Sequence, residues 1–457
     1  MVRFPTEFLS RMRSLLGEED YGRYLLEMEA PAFRGIRLNP LKCGESVLFD
    51  ALPFSIKPAP FSPYSFYIPA EAEKIGSLPM HHAGAFYAQE PSAASAVTVL
   101  DPQPGEKILD LCAAPGGKST QIAALLEGRG LLWSNEYVRS RANILLSNLE
   151  RIGARNAVVS CCHPEKLCTA LAGFFDRVLV DAPCSGEGLF RREEQAVLDW
   201  SEKHVEACAV RQLAILESAA SAVRTDGLLV YSTCTFSQEE NEGVISSFLE
   251  RHPDFEPAEC KVSFGRPGAL QCTHRIFPMD GGEGHFVAAM RRRSENPCRV
   301  RPYRVSQKAE RAAAEELFRS VFQGECFGRI EPFRENFCIL PEALPELSGL
   351  DILRAGVMLG TRRGERIEPA HALFMAARPE ELQNVVSLRH NSPEIYAYLR
   401  GEEIETDRAS GYAGVSVDGV VTGFGKISNG RLKNHYPKGL RNKGKSGDFP
   451  LFPKPTA

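Results

Sequence analysis

Two cysteines are set apart by their surroundings. The segment Val178-Leu179-Val180-Asp181-Ala182-Pro183-Cys184-Ser185-Gly186 passes from an apolar run into small, turn-forming residues. The segment Leu228-Leu229-Val230-Tyr231-Ser232-Thr233-Cys234-Thr235 repeats that pattern. Each puts a thiol just past the carboxyl end of a predicted strand, where ligands bind in open α/β sheets. A thiolate is a nucleophile, whereas a cysteine packed among apolar side chains is inert, the reading for Cys208, Cys260 and Cys338. Asp181 lies on the same sheet edge. The spacing gives Cys184 and Cys234 nearly equal claims to attack a substrate. A redox pair fits less well, because such pairs share one C-x-x-C turn and the chain has none.

A third segment, Ile108-Leu109-Asp110-Leu111-Cys112-Ala113-Ala114-Pro115-Gly116-Gly117-Lys118-Ser119-Thr120, predicts a strand, a tight turn and a helix from about Lys118. Small residues let the backbone approach a ligand, and a helix N-terminus offers unpaired N–H groups. Glu136 ends the next apolar run, where an acid suits the paired hydroxyls of a ribose. The turn is not G-x-G-x-x-G, and a phosphate-binding loop would need glycine at Cys112. An adenosine-containing cofactor other than a nicotinamide or a nucleoside triphosphate is therefore expected. Its candidate contacts are Cys112, Ala113, Ala114, Pro115, Gly116, Gly117, Lys118, Glu136, Arg141 and Asp181. Cys161, Cys162, His163 and Cys168 match no common zinc spacing, so they read as a strand end with buried thiols and no metal is expected.

The elements that must hold these groups follow from the apolar pattern. Runs ending at Cys112, Asn135, Ser160, Val180 and Ser232 alternate with amphipathic stretches, the signature of βαβ units and a parallel sheet. Long helices are predicted at 202–223 and 239–251, and a last strand at 285–290. Ahead of this region, residues 1–30 have helical spacing, 34–42 predict a short strand and turn, and 53–69 read as surface loop. Behind it, Arg291-Arg292-Arg293 opens a basic connection. Residues 414–417 and 420–425 alternate like a small β-barrel. The expected units are 1–80, a catalytic domain at 81–292, a linker at 293–308, and a C-terminal region at 309–457.

Composition bounds the classes. The 457 residues carry a formal charge of −4, are 43% apolar and 25% charged, and include 13 cysteines. These proportions exclude an overall disordered, collagen-like or coiled-coil chain. No apolar run is long enough for a membrane span, and the first residues lack the apolar core of a signal peptide. A cytoplasmic protein with free thiols is expected. The near-neutral total hides an uneven distribution: residues 423–457 hold eight Lys/Arg and one Asp, interleaved with Phe424, His435, Tyr436, Phe449 and Phe452. Basic groups neutralise phosphates and aromatics stack on unpaired bases, so this segment is a candidate RNA contact, with the linker near 291–311 extending the track.

These motifs together resemble the Sun-type RNA cytosine-5 methyltransferases. Asp110–Thr120 is similar to their cofactor loop, Asp181–Gly186 to their Asp-Ala-Pro-Cys motif, and Tyr231–Thr235 to their Ser-Thr-Cys motif. Ala85–Glu90 resembles the segment before their catalytic domain, and Arg37-Leu38-Asn39-Pro40-Leu41-Lys42 their N-terminal Arg-x-Asn-x-x-Lys element. Phe424-Gly425-Lys426 with Lys433–Arg441 is similar to the bacterial branch acting on small-subunit ribosomal RNA, which ends in a PUA-like domain.

The resemblance implies a Rossmann-like S-adenosylmethionine-dependent domain, a small N-terminal α+β domain, and a C-terminal α/β region ending in a PUA-like β-barrel. It makes Cys234 the nucleophile, Cys184 the group assisting product release, and Asp181 the support of the activated base, with Lys118 beside them. It points to RNA contacts at Lys426, Lys433, Asn434, His435, Tyr436, Lys438 and Arg441. The implied partner is ribosomal RNA or the small ribosomal subunit, met by a monomer. One departure is visible: where the family has an acid contacting adenine, this chain reads Ser160-Cys161-Cys162-His163. The competing readings are a catalytically idle ribosome-assembly factor and a tRNA cytosine-5 methyltransferase.

Overall fold

A computed structural model describes residues 4–364 and 366–442. Its centre is a ten-stranded sheet. Five parallel strands, Lys107–Asp110, Leu131–Asn135, Ala157–Ser160, Phe175–Asp181 and Val223–Thr233, lie in the spatial order third, second, first, fourth, fifth. The order reverses between the first and fourth, which opens a crevice at their carboxyl ends. His285–Arg292 runs antiparallel beside the fifth, with Phe286 opposite Thr233.

Both faces of this sheet are covered, which explains apolar runs without strict alternation. Ile108, Leu132, Val159 and Leu179 pack on one side with Ile122, Leu126, Leu145 and Leu149 from helices Gly117–Leu126 and Arg139–Arg151. Leu109, Trp133, Val158 and Val180 pack on the other with Leu216 and Phe248, from helices Glu202–Ala222 and Glu242–Arg251. The catalytic-region strands and helices read from the apolar pattern are thus present. The far edge gains a strand that the pattern did not give: Ile352–Ala355, distant in sequence, pairs antiparallel with Ala157–Ser160.

The N-terminal helix Thr6–Glu29 is broken at Gly17 (φ 72°) and buries Phe8, Met12 and Tyr24. They pack with Phe190, Trp200, Phe236 and Phe277 of the central region. Residues 53–69, expected as surface loop, instead contain the short strands Lys57–Pro58 and Ser65–Tyr67 of a four-stranded sheet, with Phe61 and Phe66 buried. Proline is tolerated on an edge strand of two residues, and the aromatics that suggested a loop fill the core beneath it.

Two further sheets follow. One comprises Arg329–Phe333, Asn336–Leu340, Val357–Arg363 and Arg366–Pro369. The other has five strands, led by Gly411–Val417 and Val420–Ser428, turning at Asp418-Gly419 as expected for 414–425. Its core is continuous with the N-terminal sheet: Ile36, Leu38 and Phe86 share one cluster with Tyr398, Val415 and Leu432. Among the described residues no helix is long and apolar enough to cross a membrane.

Candidate active site

At the crevice the structure brings most of the candidate residues to one cleft. It has a volume of about 270 Å³ and is lined by Cys112, Ala113, Ala114, Pro115, Gly117, Lys118, Asp181 and Cys234, among others. Gly116 begins the helix with φ +114°, a conformation that side chains resist, and a Cβ on Gly117 would stand 2.9 Å from the Gln89 amide. The turn is therefore built from residues small enough to leave a cradle.

Asp181 closes the fourth strand and is held from two sides. Lys118 Nζ donates to Oδ2 at 2.8 Å, and Ser232 Oγ donates to Oδ1 at 2.7 Å. Burial works against the charge on Lys118, but Asp181, with Cys234 and Asp110 behind it, holds the ammonium above its ordinary pKa. Lys118 thus stays a cation between the cofactor turn and the cysteine loops.

The two thiols meet, their Sγ atoms 3.3 Å apart. Cys234 faces the cleft, and Cys184 stands beside it without lining the cavity. Hydrogen bonding to Cys234 and then burial push the Cys184 thiol well above its usual pKa, so it keeps its proton. The loops carrying them are stitched together: Gly188 N donates to Cys234 O at 2.8 Å, and Ser185 Oγ meets Thr235 Oγ1 at 2.9 Å. Buried Glu187 accepts from Trp200 Nε1, Thr235 Oγ1 and Phe236 N, and Glu240 accepts from Ser185 N and Gln212 Nε2.

The remaining cofactor candidates flank the turn. Glu136 is buried, accepting from Val138 N at 2.9 Å with Arg141 3.6 Å away, and Arg141 Nη2 donates to Ala114 O at 3.0 Å. Asp110 accepts from Ser119 through Oδ2, while its buried Oδ1 has no hydrogen-bond partner among the described residues. A cradle of small residues, a carboxylate after the second strand and an unsatisfied acceptor beneath the turn fit an adenosine cofactor with cationic groups. Burial pushes Cys112 well above the ordinary thiol pKa, so it lines the turn as a neutral group. Past the third strand, Cys162 is buried and its Sγ accepts from Asp351 N, while Cys168 lies in the core.

Comparison with known proteins agrees with this geometry. The profile described as 16S rRNA methyltransferase RsmB/F matches residues 97–291. The N-terminal domain of 16S rRNA methyltransferase RsmF matches 4–91, the RsmF first C-terminal domain 315–376, and the RsmF PUA domain 385–442. Ribosomal RNA small subunit methyltransferase F of Erwinia tasmaniensis is 31% identical over 97% of this chain and 98% of its own length. The chain belongs to this methyltransferase F family. The protein of the same name from Vibrio atlanticus is 32% identical over 96% of this chain and 98% of its own. A solved methyltransferase homolog from Pyrococcus horikoshii shares 29% identity and a TM-score of 0.56, covering 64% of this chain and 96% of that one. The chain is accordingly an S-adenosylmethionine-dependent RNA methyltransferase of Sun type, with a Rossmann-like domain and a C-terminal PUA domain.

In this methyltransferase the C-terminal candidates divide. Lys426, Lys433 and Lys438 are exposed. Asn434 is spent on Tyr398 O and Glu402 O, and Arg441 on Tyr436 O at 3.3 Å. Tyr436 is 2% exposed, its hydroxyl 2.7 Å from His82 Nδ1. Phe424 is buried against Phe374, and His435 is half-buried beside Phe424. The expectation that Phe424 and Tyr436 stack on bases is corrected: these rings build the domain and its contact with the N-terminal sheet. Phe449 and Phe452 lie outside the described residues. Arg291 and Arg292 sit at the opposite end of their strand from His285, roughly 20 Å from the cleft edge at ~3.4 Å per residue, and Arg292 is paired with Asp254.

Sequence reasoning missed Arg191, Glu283 and His285. Arg191 and Glu283 form a buried bidentate pair at 2.9 and 2.6 Å, and Glu283 also accepts from Phe33 N. The signal for Glu283 and His285 was present: an antiparallel strand begins on the edge where parallel strands end, so residues before Phe286 had to reach the site.

Proposed function

We propose that this chain transfers a methyl group from S-adenosylmethionine to C5 of a cytosine in ribosomal RNA through a bond between Cys234 and C6. The observation that supports it best is the pairing of the two thiols, with Cys234 facing the cleft and Cys184 held protonated beside it. Cytosine C5 is a poor nucleophile until a group adds at C6, and a covalent step divides that barrier.

In this reading the Cys234 thiolate adds to C6 while Asp181, anchored by Lys118 and Ser232, supports N3 of the base. C5 then takes the methyl group that S-adenosylmethionine supplies. Elimination breaks the Cys234–C6 bond and restores the C5–C6 double bond. The Cys184 thiol, 3.3 Å away, donates its proton to the leaving Cys234 thiolate, and the Cys184 thiolate so formed takes up the C5 proton. The target has to leave its stack to enter such a cleft. Lys426, Lys433 and Lys438 hold the RNA backbone, and the enzyme acts as a monomer in the cytoplasm on the small subunit or its RNA.

The test is trapping with RNA containing 5-azacytidine. Cys234→Ala abolishes the covalent adduct, and Cys184→Ala accumulates RNA-bound enzyme. Loss of the adduct in Cys184→Ala alone would reverse the two roles. Bisulfite sequencing of ribosomal RNA from cells lacking the protein identifies the cytosine, and an unchanged pattern would exclude a ribosomal target.

A further inference from the structure

We propose that His285 reads the exocyclic amine of the target base and so separates cytosine from uracil, an inference that rests on the cytosine reading above. His285 lines the same cleft as Cys234 and Asp181. It stands on the side away from the cofactor turn: Phe286 pairs with Thr233, and one further step of that register sets His285 opposite Cys234. Opposed residues on antiparallel strands project from the same face.

The ring's tautomer is set by a relay. The Glu90 carboxylate receives Ser92 N at 2.9 Å, Ala93 N at 3.1 Å, Glu283 N at 3.3 Å and Ser92 Oγ at 2.6 Å. Burial raises the Glu90 pKa, but the Ser92 hydroxyl and the backbone N–H groups of Ser92 and Glu283 pull it back toward the carboxylate, so Glu90 accepts and the Ser92 hydroxyl spends its proton there. Its oxygen is then free to accept from His285 Nδ1, 3.3 Å away. With Nδ1 carrying the hydrogen, Nε2 presents a lone pair, and it has no side-chain partner among the described residues. Burial, then the nearby Lys118 charge, lower the ring's pKa to about 3 against the opposing pulls of Asp181 and of a hydrogen bond to the backbone of Gly284, the residue before it, so the ring is neutral. A neutral acceptor attracts the N4 amine of cytosine and faces the O4 of uracil lone pair to lone pair.

The experiment uses the full chain with Cys234→Ala, which removes the covalent step. The probe is an RNA oligonucleotide spanning the cytosine found by bisulfite sequencing, carrying cytidine, uridine or the amine-free pyrimidin-2-one ribonucleoside there. Cytidine is expected to bind about tenfold more tightly than either alternative, the scale of one buried hydrogen bond. Adding His285→Phe removes the preference, and His285→Gln, whose amide oxygen can accept, retains it. S-adenosylmethionine affinity, measured by calorimetry, stays unchanged in both. If His285→Phe loses cofactor affinity, Ser92→Ala takes its place, since freeing the tautomer should also weaken the preference. A parent without preference, or one undiminished by these changes, overturns the inference. Absence of methyl transfer from the unmutated enzyme to any cytosine C5 overturns the proposed function instead.

Discussion

Arg191→Met tests whether the N-terminal helix is fastened to the cysteine loop by a buried charge. Arg191 and Glu283 have side chains 4% exposed each, and Arg191 Nη1 also donates to Glu27 O at 2.5 Å, near the end of helix Thr6–Glu29. Removing the guanidinium leaves Glu283 with the Phe33 amide as its remaining donor among the described residues and strands a buried carboxylate without its counter-charge. Breaking one side of such a pair costs about 3–5 kcal/mol. Hydrogen exchange then reads the loss locally: amides of the helix should lose roughly a hundredfold or more of their protection, while those of the core strand Lys107–Asp110 keep theirs. The double variant Arg191→Met/Glu283→Leu removes both charges and should cost clearly less than the two single changes summed. Unchanged helix protection in Arg191→Met would refute the fastening, and strict additivity would refute its electrostatic origin.

Gly188→Ala puts a Cβ 2.8 Å from Cys234 O and 3.0 Å from Gly284 O, both backbone atoms, so the loops must part. Methyl transfer should fall at least tenfold, about 1.4 kcal/mol, while calorimetry finds cofactor affinity retained. Burial, opposed by Ser119 and supported by Asp181, raises the Asp110 pKa to about 7. The folded protein therefore holds a proton that the unfolded chain releases near pH 4, and this contribution to stability is lost as pH rises from about 4 to about 7. Urea unfolding of Asp110→Asn should lack that loss. Replacing Lys426, Lys433 and Lys438 by Ala should weaken RNA binding and lower its salt slope by about 2, at ~0.7 per single-strand phosphate contact; an unchanged slope removes these lysines from the interface.

The site was legible where its determinants are local. A strand followed by a small-residue turn fixes a helix start, and a thiol past a strand end has to emerge at the sheet edge. Asp181, Cys184, Cys234 and the 112–118 turn follow from such short-range rules. What was not legible depends on partners far along the chain. Arg37 reaches Thr120 at 2.6 Å and Lys42 reaches Met375 O, contacts that no window of sequence contains. Burial was misread for the same reason: an aromatic among basic residues suits stacking on RNA, yet Tyr436 is claimed by His82 of the N-terminal region. The short strands within 57–67 gain their stability from a sheet whose other members lie outside that stretch.

These long-range contacts bear on how RNA binding can be assigned. Arg37 hydrogen-bonds Gln89 in the cleft wall and Thr120 in the cofactor helix. Asn39, two residues on, donates to Gly84 O and Ile152 O, and Lys42 donates to the backbone at Met375 and Val421. One turn of chain thus touches the cofactor helix, the helix after the second strand and the PUA region. The strand Val420–Ser428 is at once the centre of the C-terminal sheet and an acceptor for Lys42. Cutting the chain before Gly423 would therefore dissolve a sheet and loosen the cleft wall, besides removing charge. Loss of RNA affinity in such a truncation would not identify the surface that holds RNA. Substituting exposed lysines one at a time changes the charge and leaves these contacts intact, so only those substitutions separate an RNA-binding face from the scaffold that shapes the cleft.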